Sequence, residues 1–155
     1  MCIRDSDGSE GFHINAGISG FGGNHISSQG FEKENYRVEF RNEYEGRLEF
    51  PLFEGFDNGV TATESFESIE FRGGSHDRIL RGFGLSNRFV DDTLLELGHA
   101  VPHGRFVHIY SNGEYFGQFH MRERWDADFL AQYYGGQEDD YEAVNGNVNL
   151  SLIHI

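Results

Sequence analysis

The sequence predicts an α+β fold, in which an antiparallel sheet packs against a helix. Residues Tyr36 to Arg41 alternate between apolar and charged side chains, which is the period of a half-buried strand. Residues 106–124 contain Asn112-Gly113 between two apolar runs, a pattern typical of a β-hairpin with a two-residue turn. Residues Leu85 to Leu97 repeat apolar side chains at helical spacing. Together these three patterns predict the strands and the helix of one domain.

Two further strands and one loop complete the first half of the chain. Gly17 to Gly30 is rich in Gly and Ser, and we expect a turn-forming loop without regular structure there. Leu48 to Phe53 contains a proline and is predicted as a weaker strand at a sheet edge. Phe66 to Phe71 is the third strand candidate because its two faces alternate.

The helix predicted from Leu85 to Leu97 is expected to pack through an apolar stripe. The stripe consists of Phe89, Val90, Leu94 and Leu97. Gly98 supplies the left-handed residue that commonly ends a helix. A shorter helix is predicted from Ala127 to Tyr134, and the acidic segment Glu138 to Glu142 is predicted as a solvated loop.

The hairpin is predicted to lie in the centre of the sheet. If Asn112 and Gly113 form the turn, Tyr110 faces Tyr115 and Ile109 faces Phe116. Both strands then carry apolar side chains on both faces, which is typical of strands that are covered on both sides.

Charge and composition exclude some classes of partner. The formal net charge of −14 argues against binding a nucleic-acid backbone, which requires clustered Lys and Arg. No apolar run approaches the roughly 20 residues that a membrane span needs. The single cysteine is Cys2, so residues 7–149 contain no thiol for a disulfide or a thiolate metal site.

The two ends of the chain are predicted to be a cloning or sequencing scar. Residues 1–6 and 150–155 can be encoded by DNA segments that are reverse complements of one another, a relation that two unrelated protein ends rarely have. We therefore expect residues 7–149 to be the native part, as one partial domain.

Lys33 is the candidate for phosphate contact because it is the only lysine and lies between a glycine-rich loop and a strand. A carboxylate of the helix, Asp91, Asp92 or Glu96, would orient it in a kinase-type pair. The alternative interpretation is an exposed lysine at the head of a strand.

The end of the hairpin is the second candidate region. Arg122, Glu123 and Arg124 could frame the base or ribose of a nucleotide where the hairpin joins the next helix. The alternative is a mutual ion-pair cluster on a surface loop. No spacing of His, Cys or carboxylates indicates a metal site.

The segment PHGRFVHIYSNGEYFGQFHMRERWDADF resembles the CotH kinase family, bacterial atypical kinases named from spore-coat proteins. The family pattern is a strand ending in LNGEYWG, followed by a strand that leads to a Glu-Arg pair. The matching residues are Asn112, Gly113, Glu114, Tyr115, Gly117, Glu123 and Arg124. Upstream, GFEKENYRVEF resembles a family strand through Lys33, Tyr36 and Arg37.

The resemblance implies the small lobe of a protein-kinase-like fold, with which the predicted element order also agrees. A full-length parent would bind ATP and magnesium and phosphorylate a secreted or surface protein. The residues implied to contact the nucleotide are Lys33, Arg37, Asp92, Glu96, Met121, Glu123 and Arg124. The chain departs from the family pattern at Glu34 and Phe21, which replace basic family residues.

The family's catalytic and metal-binding aspartates belong to a later segment than those matched here, so we expect this polypeptide to be inactive by itself. One alternative is a pseudokinase or adhesive module of a large secreted bacterial protein. Another is an unrelated structural α+β domain.

Overall fold

The computed structural model describes residues 11–22, 33–74 and 84–142. The chain divides into two compact units, Met1–Arg124 and Trp125–Ile155. The predicted scar segments, 1–6 and 150–155, lie outside the described residues. No helix in the described ranges is long and apolar enough to cross a membrane.

The first unit is built on a five-stranded antiparallel sheet, which confirms the predicted α+β class. In chain order its strands are β1 (Gly17–Phe21), β2 (Asn35–Glu39), β5 (Ser68–Arg72), β6 (Gly104–Ser111) and β7 (Glu114–Glu123). Their order across the sheet is β1-β2-β5-β7-β6, and every neighbouring pair is antiparallel. A separate two-stranded ladder joins β3 (Leu48–Glu49) to β4 (Ser65–Phe66).

One face of the sheet carries the hydrophobic core, and we call it the apolar face. Val38, Ile69, Phe71, Phe119 and Met121 project from the three central strands and are buried. Aromatic and aliphatic side chains of the segment 40–66 pack over them, and Phe53 of this segment is fully buried. Because a strand places alternate residues on opposite faces, the polar residues between these positions all point to the other side.

The opposite face is charged, and we call it the charged face. Register pairs Arg37 with Glu70 and Glu70 with Arg122, so three neighbouring strands align charged residues in one row. Helix α1 (Ser86–Glu96) has Arg88 and Asp91 within interaction range of this face, and its Leu95 is buried. The helix therefore meets the sheet through long polar side chains.

The orientation of α1 differs from the prediction. Phe89, Val90 and Leu97 were expected to pack, but they are 72%, 52% and 69% exposed, while Arg88 and Leu95 are buried. The physical reason is the partner surface: a row of arginines and a glutamate is satisfied by ionic and hydrogen-bonding groups, so the helix turns its polar side inward. The predicted helix end is confirmed, since Gly98 follows with φ +82°.

Two predictions about the first half of the chain were wrong in part. Gly17–Phe21 forms a strand paired with β2, although Gly17 to Gly30 was predicted as a loop; residues 23–30 of that segment lie outside the described part. Backbone pairing with β2 compensates for the weak strand propensity of glycine. The strand predicted at Leu48 to Phe53 is reduced to two residues, and turns follow it.

The hairpin turn is confirmed, and its predicted register is confirmed only next to the turn, where Tyr110 pairs with Tyr115. Asn112 and Gly113 have φ of +52° and +86°, as a two-residue turn of this kind requires. Ile109 pairs with Gly117, not with Phe116, because β7 contains one extra residue at this point. This bulge brings Gly117, with φ +136°, so close to Lys33 that a Cβ there would lie 2.7 Å from Nζ.

The hairpin is also not central as a whole. β7 lies between β5 and β6, but β6 is the last strand of the sheet among the described residues. The tip of the hairpin is exposed, with Tyr110 65% and Tyr115 56% accessible. The apolar pattern on both faces identified β7 as a central strand and did not distinguish β6 from it.

The second unit contains helix α2 (Ala127–Tyr134) and a 3-10 helix at Glu138–Asp140. Asp126 caps α2, because its side chain accepts a hydrogen bond of 3.1 Å from the backbone N–H of Phe129. The predicted bounds of α2 are therefore confirmed. The acidic segment after it was predicted as a loop and forms a short helical turn over three residues.

A glycine pair tests how closely the loop 57–60 packs against α1. A Cβ on Gly59 (φ +93°) would lie 2.8 Å from the carbonyl oxygen of Leu95, whereas one on Gly55 (φ +81°) would meet nothing within 4 Å. Both positions carry the cost of a positive φ, about 1 kcal/mol for alanine. We expect Gly59→Ala to lower the free energy of unfolding by about 1–3 kcal/mol more than Gly55→Ala. Urea titration measures the difference, and equal losses would contradict the close packing of this loop.

Candidate functional site

Glu70 is the centre of the charged face. Its Oε1 accepts a hydrogen bond of 3.1 Å from Nη2 of Arg37, and its Oε2 accepts bonds of 3.2 and 3.1 Å from Nε and Nη2 of Arg122. The side chain of Glu70 is only 6% exposed. Two guanidinium groups therefore share one buried carboxylate, which leaves this row with an excess of positive charge.

Helix α1 is held over the charged face by Arg88 and Asp92. Nη1 of Arg88 donates a hydrogen bond of 3.1 Å to the carbonyl oxygen of Pro102, and Nη2 lies 2.7 Å from Oδ1 of Asp92. Nδ2 of Asn58 donates to the same carboxylate oxygen at 2.6 Å. Gly104 permits the close approach of Arg88, because a Cβ there would lie 2.7 Å from Nη1. These contacts fix the helix against the start of β6.

Asp91 faces the arginines of the sheet. The pKa of its carboxyl group is raised, because burial outweighs the charges of Arg88, Arg122 and Arg72, which lower the pKa, and the charge of Asp92 adds to the rise. Its Oδ2 is buried and has no hydrogen-bond partner. We call Arg37, Arg72, Arg88 and Arg122, with Glu70, Asp91 and Asp92, the arginine cluster. It concentrates positive charge in a half-buried space, where anionic groups are bound most strongly.

The structure places the residues that were predicted to contact a nucleotide in different parts of the first unit. Arg37 and Asp92 lie in the arginine cluster. Lys33 does not, because its Nζ donates a hydrogen bond of 3.2 Å to the carbonyl oxygen of Gln118 and lies 5.3 Å from the ring centroid of Phe119. Within the described residues, none of the α1 carboxylates forms an ion pair with it. Gln118 is four residues from Arg122 along β7, roughly 13 Å in an extended strand.

Three other predicted residues lie elsewhere. Met121 projects from the apolar face and is 3% exposed, so the sheet separates it from the arginine cluster. Glu96 is exposed at the end of α1. Arg124 follows β7 and is half-buried. Their roles in binding a nucleotide stay predictions.

Glu123, also predicted at the nucleotide edge, forms a buried pair with His103. Its Oε2 accepts hydrogen bonds of 2.7 Å from the backbone N–H of His103 and 3.0 Å from Nδ1 of the ring. Nε2 of the ring lies 2.7 Å from the carbonyl oxygen of Val60 and 3.3 Å from that of Asp57. Both ring nitrogens face acceptors, so the doubly protonated imidazolium satisfies all of these contacts.

The environment of His103 favours that charged form. Burial by itself lowers the pKa of His103, but the hydrogen bond and charge of Glu123 and the carbonyls of Val60 and Asp57 outweigh it and raise the pKa. The pair thereby ties the loop 57–60 to the end of the hairpin. Since that loop also contacts α1 through Asn58, the pair supports the position of the helix.

Three residues of the arginine cluster were missed by the sequence prediction: Glu70, Arg72 and Arg88. Arg122 was predicted at the nucleotide edge, but its pairing with Glu70 was not predicted. The alternation of polar and apolar residues along strand β5 could have indicated Glu70, because Glu70 lies on the polar side of a strand whose other side is apolar. Strand order was needed to show which charged residues meet. Arg88 lies outside the apolar stripe that was expected to pack, so the helical spacing did not indicate that it would be buried.

The fold and the cluster define a small α+β domain with a mostly antiparallel sheet and a charged face beneath its helix. The family model described as CotH kinase protein matches residues 20–152. The chain therefore belongs to the CotH kinase family, as its hairpin resemblance predicted. Comparison with curated proteins gave no match, and comparison with solved structures gave none either.

Neutralising Glu70 tests its role in joining the strands. Glu70→Gln leaves Arg37 and Arg122 half-buried without their shared counter-charge, and we expect it to lower the free energy of unfolding by about 2–3 kcal/mol. The matched control is Glu67→Gln, whose carboxylate pairs with Arg47 at 2.9 Å but is 44% exposed. That change should cost less than about 1 kcal/mol. Equal costs in urea titrations would contradict a structural role for Glu70.

The pair formed by His103 and Glu123 makes stability depend on pH. Because folding raises the pKa of His103 above its ordinary value of 6.5, the stabilisation is fully present below pH 6.5 and is lost as pH rises through the folded pKa. We expect the free energy of unfolding to fall as the pH rises above 6.5 and the His103→Gln variant to lose this decline. His99→Gln, at an exposed position, should keep it. If the free energy of unfolding of His103→Gln kept the same pH dependence, this interpretation would be contradicted.

Proposed function

We propose that this domain is the nucleotide-binding part of a CotH-like kinase with a protein-kinase-like small lobe. Its full-length parent would transfer phosphate from ATP to a secreted or cell-surface protein. The observation that supports the proposal most directly is the arginine cluster, in which Arg72, Arg88 and Arg122 act on the partly buried Asp91. A helix carboxylate facing cations of the sheet is the arrangement through which kinase-like small lobes position phosphates.

The arginine cluster suits the phosphates of a nucleotide. Guanidinium groups bind phosphate oxygens in pairs of parallel hydrogen bonds, and partial burial strengthens such bonds. Arg72 and Arg122 lie on the central strands β5 and β7 and share the charged face. A triphosphate would thus be held by local positive charge, although the chain as a whole has a net charge of −14.

The described residues do not fit magnesium in the same way. No group of three or more His, Cys, Asp or Glu side chains in the described ranges could hold a metal ion. Asp91 and Asp92 are adjacent on α1, but Asp92 is already bonded to Arg88 and Asn58. We therefore propose that this chain does not transfer phosphate by itself.

A binding-only module is the second candidate, and one contact favours it. Glu70 already accepts hydrogen bonds from Arg37 and Arg122, so these two cations have a partner in the absence of any ligand. In that case the arginine cluster is structural, and the domain serves as a pseudokinase or adhesive part of a secreted protein.

Nucleotide titration distinguishes the two candidates. We expect the chain to bind ATP in isothermal titration calorimetry, and Arg72→Gln to weaken binding at least tenfold, since a charge-assisted hydrogen bond contributes about 1.5–3 kcal/mol. The control is Arg47→Gln, because Arg47 bonds to Ser65 in the β3-β4 ladder, on the segment that covers the apolar face.

Absence of ATP binding, or equal binding by both variants, would refute the nucleotide site and favour the binding-only module. Transfer of labelled phosphate from ATP to any protein by this chain would contradict its proposed inactivity.

A further inference from the structure

Strand β6 has an unpaired edge in the part of the chain that the structure describes. Its eight residues, Gly104–Ser111, pair with β7 on one side, and no strand in the described part of the chain pairs with the other side. An edge of this length offers a row of backbone donors and acceptors to another extended chain.

Three of the usual protections against strand addition are missing from β6. It contains no lysine and no proline, and the extra residue that distorts the hairpin lies on β7 instead. Its single charged residue apart from histidine is Arg105, whose guanidinium lies 4.9 Å from the ring centroid of Phe56. The other edge, β1, is different, because two of its five residues are glycine.

The outward-pointing backbone groups follow from the hairpin geometry. A two-residue turn closes on a hydrogen-bonded pair, here Ser111 and Glu114. In an antiparallel ladder the residues alternate between bonding to the partner strand and pointing away from it. Phe106, His108 and Tyr110 are therefore the positions whose N–H and C=O groups face the open side.

We propose that β6 pairs with β6 of a second copy of this chain, antiparallel and across a two-fold axis at His108. In this register Val107 faces Ile109 of the partner on the apolar side. Phe106 faces Tyr110 of the partner on the charged side. The two sheets then form one continuous sheet with both faces preserved, because the paired positions have the same parity.

Charge supports a copy of the same strand as the occupant. The chain has 26 acidic and 12 basic residues, yet β6 contains no acidic residue. Two copies meeting at this edge place no carboxylates opposite one another, and their aromatic and β-branched side chains are the pairs that stabilise antiparallel strands. Repulsion between the two net charges of −14 is long-range and is screened by salt.

Association should therefore be weak and should strengthen with salt. A single strand pair buries less than a standard interface, so dimers are expected at protein concentrations of about 0.1–1 mM. Sedimentation equilibrium of the full chain at low and high sodium chloride concentration measures this. Hydrogen exchange identifies the residues at the interface, since the amides of Phe106, His108 and Tyr110 should become protected as protein concentration increases.

Two pairs of variants distinguish a dimer interface at the β6 edge from an interface at another surface. His108→Pro removes an outward N–H that β7 does not use and should abolish the dimer, while His108→Thr should keep it. Tyr110→Lys should weaken dimerisation at least tenfold. Its control, Tyr115→Lys, removes the other member of the same ring contact (5.3 Å between centroids) from the paired strand β7 and should have a smaller effect. Circular dichroism of each variant establishes that it is folded.

The exposed apolar side of α1 is the rival interface. Phe89→Glu changes that surface and should leave the dimer intact. A dimer that Phe89→Glu abolishes and folded His108→Pro retains would overturn the proposal, and so would a chain that stays monomeric at 1 mM in high salt. Dimerisation that weakens as salt increases would also contradict it.

Discussion

A buried carboxylate shared by two guanidinium groups organises this domain. Glu70 lies on the central strand β5 and bonds to Arg37 on one side and to Arg122 on the other, so its contacts cross three strands of the sheet. An ionised group in this position is stable only when its hydrogen bonds are made, which penalises any register that misaligns the strands. The charged face in turn determines how the helix packs.

The packing of helix α1 shows how the charged face determines which side of a helix is buried. A helix that packs on an apolar sheet face would bury its apolar stripe. Because this face of the sheet is charged, the helix buries Arg88 instead of Phe89. The contacts that compensate are polar, from Arg88 to Pro102 and from Asn58 to Asp92. The loop that contains Asn58 is itself tied to His103 and Glu123. Polar interactions thus connect the sheet, the loop and the helix, while the hydrophobic core occupies the other face.

The candidate site was predictable in composition and less so in geometry. Alternation along the strands identified which residues of β2 and β5 share a face, and Arg37 was among the predicted contacts. Lys33 and Glu123 were selected for their position in the chain, and the structure gives Lys33 a carbonyl and a ring as neighbours and Glu123 a buried histidine. Charge neighbours such as Glu70 and Arg122 are 52 residues apart, so only strand order brings them together.

The sequence by itself determined the elements whose causes are local. The Asn112-Gly113 turn needs two residues that accept positive φ, and the end of α1 needs one such residue, which is Gly98. Asp126 caps helix α2, which follows it directly. The family, too, was evident from the hairpin residues. Only the tertiary structure determined where the bulge opposite Ile109 lies, that β6 lies at the edge of the sheet, and which side of α1 is buried. These depend on what lies beside each element, because an apolar side chain and a charged one are each stabilised by the surface they meet.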